Sequence, residues 1–258
     1  MQMFERTNLL LGTESVAVLK KKRVAIFGLG GVGGMAVESL ARIGVGSFLL
    51  IDGDVVSESN LNRQIIALEN TIGRKKTEVM KERVLAINSR AAVEMADMFV
   101  LEENIYDIDF GCVDYVVDAI DTITSKLAIA KRCKKEGIPI ISSMGAGNRL
   151  SMNFKVGDIF DTSICPIAKV MRKKLRDNGI GKLKVVYSLE EPKGHFGEYN
   201  KKETDNANNI TAETADCLTS INGQSKRVRK TIGSIPFAPM CAGLYLASEV
   251  INDLIGIV

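Results

Sequence analysis

The chain has 258 residues, a formal net charge of +3, 46% hydrophobic and 25% charged residues, ordinary proportions for a soluble globular protein. No run reaches membrane-spanning length and the first residues lead straight into polar sequence rather than an apolar leader, so a cytoplasmic protein is expected. Five scattered cysteines (Cys112, Cys133, Cys165, Cys217, Cys241) without a C-x-x-C pair argue against a structural zinc or a disulfide framework, and a single histidine, His195, against chemistry needing several imidazoles.

In chain order, Thr13 to Lys20 reads as a short opening helix with Thr13 as N-cap. Val24 to Phe27 is a continuously apolar, partly β-branched run, which suits a strand buried on both faces. Glycines follow at Gly28, Gly30, Gly31, Gly33 and Gly34, and a helical pattern resumes from Met35 to Ile43. The spacing of Gly28, Gly30 and Gly33 fits a strand–turn–helix that cradles phosphate: a tight turn, a close backbone approach, and close packing of helix on strand. The anion would rest on the helix N-terminus, where unpaired N–H groups and the dipole favour it. The alternative is a merely structural turn.

Ser47 to Ile51 is a second buried strand and ends at Asp52, where nucleotide-binding folds place an acid against ribose hydroxyls; Asp54 follows on the same side. To this point a nicotinamide cofactor and ATP fit equally. The polar run Asn60, Asn62, Arg63, Gln64 and the cluster Arg74-Lys75-Lys76, opening a helix to about Asn88, favour ATP. A pyrophosphate is held largely by the glycine turn, whereas β- and γ-phosphates need added positive charge. Tyr115 to Asp121 reads as a further core strand, and its terminal acid, Asp121, is suited to holding Mg²⁺.

These motifs, Gly28-x-Gly30-Gly31-x-Gly33, Asp52-x-Asp54, Asn60-x-Asn62-Arg63-Gln64, Lys76 and Asp118-x-x-Asp121, together resemble the E1-like (ThiF/MoeB/HesA) adenylating enzymes. The resemblance spans residues 6–150. It implies a Rossmann-like, doubly wound, mostly parallel α/β sheet, with ATP and Mg²⁺ as cofactors. It further implies that Asp52 binds the ribose, that Arg63 and Lys76 bind phosphates, that Asp121 holds the metal, and that Asn60 lies near the reacting phosphate. Arg6 stands where the family supplies an arginine across a dimer interface, which implies a homodimer.

Farther on, Gly145-Ala146-Gly147-Asn148 and Asp158 to Arg176, with Cys165-Pro166, resemble the branch containing the tRNA threonylcarbamoyladenosine dehydratases. Activators of sulfur-carrier proteins, the neighbouring branch, usually carry two C-x-x-C pairs that this chain lacks. The expected organisation is an ATP-binding core over 1–150 and a substrate- and dimer-contacting extension over 151–258.

Between Cys165 and Ile232 there are 14 Lys/Arg against 8 Asp/Glu, a bias suited to RNA, although a solvated mixed surface reads the same way. A basic helix is expected from Ile164 to Asn178, carrying Lys169, Arg172, Lys173, Lys174 and Arg176, and then a strand from Leu183 to Leu189. Residues 193–234 lose periodicity and read as a long mobile insertion. Its cluster Lys226-Arg227-Val228-Arg229-Lys230 can contact phosphate but lacks aromatics for base stacking. Pro236 to Ile255 closes the chain as an apolar helix. Cys217 and Cys241 are candidate thioester nucleophiles without an activating histidine; Cys112, Cys133 and Cys165 read as structural, and His195 as a solvated loop residue. Rival readings are activation of a ubiquitin-like sulfur carrier, an NAD-dependent oxidoreductase, and a non-catalytic scaffold.

Overall fold

The computed structural model describes residues 2–194 and 232–256. His195, Cys217, the cluster at 226–230 and nearly all of the insertion expected over 193–234 lie outside the described residues. Seven strands form one sheet in the order β3-β2-β1-β4-β5-β7-β6. They are β1 (Arg23–Phe27), β2 (Ser47–Ile51), β3 (Ala92–Ala96), β4 (Tyr115–Asp118), β5 (Ile140–Ser143), β6 (Phe154–Asp158) and β7 (Lys184–Ser188). All neighbours are parallel except β6 against β7. The doubly wound α/β architecture expected from the sequence is the one observed.

Period-two alternation sends the strand side chains to two cores. Val24, Ile26, Phe48, Leu50, Tyr115 and Val117 face a core with residues of α2 (Thr13–Leu19), α3 (Gly31–Ile43), α4 (Lys76–Ile87) and α7 (Phe237–Ile255). Ala25, Phe27, Leu49, Ile51 and Val116 face the other side, covered by α5 (Ile123–Glu136) and the loop through Ile105, Ile108 and Phe110. The helix α6 (Pro166–Asp177) packs beside it, with Ala168, Met171 and Leu175 meeting Val185 and Tyr187 of β7. The closing helix α7 lies against α3 closely enough that a Cβ at Gly243 would fall 2.4 Å from the Val32 carbonyl oxygen. No helix among the described residues is long and apolar enough to cross a membrane.

Several boundaries differ from the sequence reading. Gly12, with φ +82°, is the N-cap of α2, and Thr13 is its first helical residue. An earlier helix, α1 (Glu5–Leu11), precedes it and buries no residue, so it carries no amphipathic signature to read. The helix after the glycine turn starts at Gly31, four residues before the apolar pattern resumes. The strand β3 is an edge strand with no buried residue, which removes the alternation that would reveal it.

Candidate nucleotide site

The carboxyl ends of β1, β2, β4 and β5 share one edge of the sheet, because these strands are mutually parallel. The glycine turn lies there. Gly28 adopts φ +87°, and a Cβ on it would meet the Ala119 carbonyl oxygen at 2.8 Å. At Gly33 a Cβ would sit 1.8 Å from the Gly28 carbonyl oxygen, so only glycine lets α3 start this close to β1. Gly31 rests against the Arg63 carbonyl and Pro239 of α7. At Gly30 a Cβ would meet only the Gln64 amide, at 3.7 Å, and would otherwise occupy the open cradle. Gly30 caps α3 without a side chain, which leaves the first-turn N–H groups without a side-chain acceptor.

The Leu29 N–H donates to Asp52 Oδ2 at 2.6 Å and the Asp54 N–H to Asp52 Oδ1 at 2.8 Å. Asp52 therefore ties the glycine turn to the loop after β2. Burial raises its pKa above the ordinary value of 3.8, opposed by the nearby Lys76 ammonium. Lys76, the first residue of α4, is 5% exposed; its Nζ reaches Asp54 Oδ2 at 2.7 Å and Asp52 Oδ1 at 4.0 Å. An ammonium has three donors, so further hydrogen bonds to an anion are compatible with that pairing.

The polar run folds onto itself. Asn60 is buried, with its Oδ1 accepting from the Ser57 N–H at 3.2 Å and its carbonyl accepting from the N–H groups of Arg63 and Gln64. Arg63 Nη1 donates to the Ser59 carbonyl at 2.7 Å and to Asn62 Oδ1 at 2.9 Å, and burial lowers its pKa. Asn62 is exposed and donates to the Ser234 carbonyl at 2.9 Å. Gln64 is buried beside Gly30 with its Oε1 unpartnered among the described residues. Amide oxygen and nitrogen are interchangeable by a flip, so this orphan can also present a donor to the cradle.

The expected strand ending at Asp121 stops at Asp118 instead. Asp118 Oδ2 is drawn into the core by Lys126 Nζ at 3.0 Å and Ser142 Oγ at 2.5 Å, while Oδ1 accepts from the Ile120 N–H. This turns the chain outward, and Asp121 lies exposed in the loop three residues beyond the strand. Lys126 also donates to Ser142 Oγ and the Ser143 carbonyl, so it joins β4, β5 and α5 beneath that loop. Sequence reasoning missed it: a lysine amid a lysine-rich helix reads as solvated. The sole available signal was Asp118 at the end of an apolar strand, an acid that needs a partner.

Among the remaining candidates, Arg6 is exposed on α1, with Leu9 and Leu10 on the same helix each 84% exposed. On α6, Lys169, Lys173 and Arg176 reach solvent, the last over the Phe160 ring. Arg172 is half-buried instead: its Nη1 donates to the Thr162 carbonyl at 2.7 Å, binding α6 to the preceding turn. Cys133 and Cys165 are buried, as expected of structural thiols, and burial pushes Cys133 up to about 12. Cys112 is exposed at φ +59°, in a turn rather than the core. Cys241 is half-buried near the Met152 carbonyl, and burial raises its pKa, the opposite of an activated nucleophile. A cleft lined by Ala130, Lys134, Ile140, Ile180 and Leu183 opens beside the amino end of β5, at the opposite edge of the sheet, and gathers no acid or nucleophile.

Residues 4–257 match the family model described as the ThiF family. The tRNA threonylcarbamoyladenosine dehydratase of Bacillus subtilis (strain 168) is 40% identical over 261 residues, covering 99% of this chain and 95% of the relative. The Escherichia coli (strain K12) protein of the same name is 36% identical over 198 residues, 73% of this chain and 74% of that one. The crystal structure of E. coli tRNA N6-threonylcarbamoyladenosine dehydratase, TcdA, in complex with ATP superposes with a TM-score of 0.81 at 28% identity, covering 99% of this chain and 94% of that one.

Proposed function

The chain belongs to the ThiF family, and we propose from that premise that it is an ATP-dependent enzyme cyclising N6-threonylcarbamoyladenosine in tRNA. The carboxylate of the threonyl group attacks the α-phosphorus of ATP and pyrophosphate departs, leaving an acyl adenylate. A nitrogen of the same modification then displaces AMP, and the ring closes with net loss of one water. Positioning and charge neutralisation supply most of the rate, since this chemistry needs no covalent link to the protein.

The observation that carries the nucleotide reading is the buried Lys76 ammonium, held at the edge of the sheet that also bears the open glycine cradle. In this reading Asp52 receives the ribose hydroxyls, with Asp54 setting the position of Lys76. Gly28, Gly30, Gly31 and Gly33 shape the phosphate seat, and Lys76, Arg63 and Gln64 face the phosphates. Asn60 and Asn62 hold the Arg63 loop in place. Magnesium, when bound, neutralises phosphate charge. Asp121, exposed and contacted only by the Thr122 hydroxyl among the described residues, suits it as a hard oxygen ligand. Among the described residues no three His, Cys, Asp or Glu side chains converge. One carboxylate completed by phosphate oxygens and water is a normal magnesium shell, so the residues fit the ion.

Residues 1–150 form the adenylating core in this account, and 151–258 meet tRNA and, together with α1, a second subunit. The exposed Leu9 and Leu10 support a homodimer in which α1 packs on the partner and delivers Arg6 across the interface. Lys169, Lys173 and Arg176 are the tRNA contacts on α6. The test is incubation of N6-threonylcarbamoyladenosine-bearing tRNA with protein and ATP, followed by mass spectrometry of the nucleosides. Loss of one water from the modified adenosine is expected. Activation of a ubiquitin-like sulfur carrier with no change in the tRNA would replace this reading by the rival one.

A further inference from the structure

Arg149 follows β5 in the loop Gly145-Ala146-Gly147-Asn148-Arg149, at the edge of the sheet shared with the glycine turn. It is 2% exposed, yet its Nε and Nη1 have no hydrogen-bond partner among the described residues. Burial lowers its pKa. The acid whose field acts on it does not resolve the matter: Glu190 Oε2 accepts from the N–H groups of Leu150 at 3.0 Å and Ser151 at 2.8 Å and so holds the loop. Native proteins seldom leave a buried guanidinium unpaired, because desolvation is not recovered until an anion arrives.

The loop is also fixed to the site. Asn148, at φ +55°, exchanges hydrogen bonds with Gly233: its N–H donates to the Gly233 carbonyl and its Oδ1 accepts from the Gly233 N–H, both at 2.8 Å. The next residue, Ser234, accepts from Asn62. Residues 233–234 therefore stitch the Arg149 loop to the loop of Arg63.

We propose that Arg149 is an oxyanion-binding residue of the nucleotide site, its free donors receiving a carboxylate or phosphate oxygen of a ligand seated between the Arg63 and β5 loops. The inference rests on the proposed function for the identity of that ligand, whose two sources are the substrate carboxylate and the phosphates of ATP. Arginine serves here because its fixed charge persists on burial, where lysine readily loses a proton.

The test compares wild-type protein with Arg149→Met and Arg149→Lys. Charge-assisted hydrogen bonds predict binding weaker by about 10- to 100-fold in Arg149→Met and partly restored in Arg149→Lys. A raised Kd for ATP identifies phosphate as the ligand. An unchanged Kd for ATP with a raised KM for modified tRNA identifies the carboxylate. Ligand-free Arg149→Met should melt at or above the wild-type temperature, since it removes an unpaired buried charge. A variant that melts lower while ATP affinity and the KM for tRNA stay at wild-type values would make Arg149 a structural residue and overturn the proposal. Thermal shift with pyrophosphate adds an arm that needs no turnover: wild type stabilised more than Arg149→Met supports the oxyanion site even if ring closure is never seen. Equal stabilisation, with ATP affinity and the KM for modified tRNA both unchanged, counts against it.

Discussion

Lys126→Met removes the cation of a pair in which both side chains are 1% exposed. It deletes the 3.0 Å contact to Asp118 and the hydrogen bonds to Ser142 and the Ser143 carbonyl, and leaves Asp118 with the Ser142 hydroxyl and the Ile120 N–H alone. Breaking a buried pair on one side costs about 3–5 kcal/mol, because the remaining charge stays desolvated. For a domain of this size that corresponds to a melting point lower by about 6–20 °C. Asp118→Asn in the same background removes the stranded charge, so the double variant should be more stable than Lys126→Met alone. Equilibrium denaturation of the four proteins of this cycle isolates the coupling. Because the pair sits beneath the Asp121 loop, ring closure should fall with it. A Lys126→Met protein within about 1 kcal/mol of wild type would refute the reasoning, since replacing a solvated surface lysine costs no more than that.

Gly33→Ala brings a Cβ to 1.8 Å from the Gly28 carbonyl, a backbone atom that cannot rotate away, so α3 must shift. Destabilisation at or beyond the usual ~1–3 kcal/mol of overpacking is expected, with ATP binding lost in a titration; unchanged affinity would contradict it. Because Asp52 has a raised folded-state pKa, its contribution to stability falls as pH rises from the ordinary 3.8 to the raised value. ATP affinity runs the other way in acid, falling as pH drops through that value. Lys76→Met removes the charge that opposes the shift, so carboxyl-resonance NMR should show Asp52 titrating higher still. Asp121→Ala should abolish ring closure while leaving the unfolding free energy within about 0.5 kcal/mol of wild type, as for other exposed sites. Lys169→Glu with Lys173→Glu should weaken tRNA binding and flatten its log–log salt slope by about 1.5, measured by filter binding between 50 and 200 mM salt. An unchanged slope would remove α6 from the RNA surface.

The central strands were legible because their apolar runs are wholly buried: Val24 to Phe27 and Phe48 to Ile51 have no competing reading. The glycine turn was equally plain, since the close approach at Gly33 excludes other residues. The edge strand β3 and the exposed helix α1 were not, because neither buries a face and periodicity reports only burial. Lys126 and Arg172 illustrate the converse. Both stand among residues that read as solvated charge, and tertiary partners, Asp118 and the Thr162 carbonyl, take them inward. The apolar run predicts a strand reaching Asp121, but β4 ends at Asp118, since the pairing of Asp118 with Lys126 cannot be seen along the chain.

Transfer of oxygen from the substrate carboxylate tests the central claim most directly. With tRNA whose N6-threonylcarbamoyladenosine carboxylate carries ¹⁸O, wild-type protein and ATP should yield AMP bearing one ¹⁸O in its phosphate, in step with ring closure. Unlabelled AMP, or label recovered in inorganic phosphate, would contradict attack of that carboxylate on the α-phosphorus.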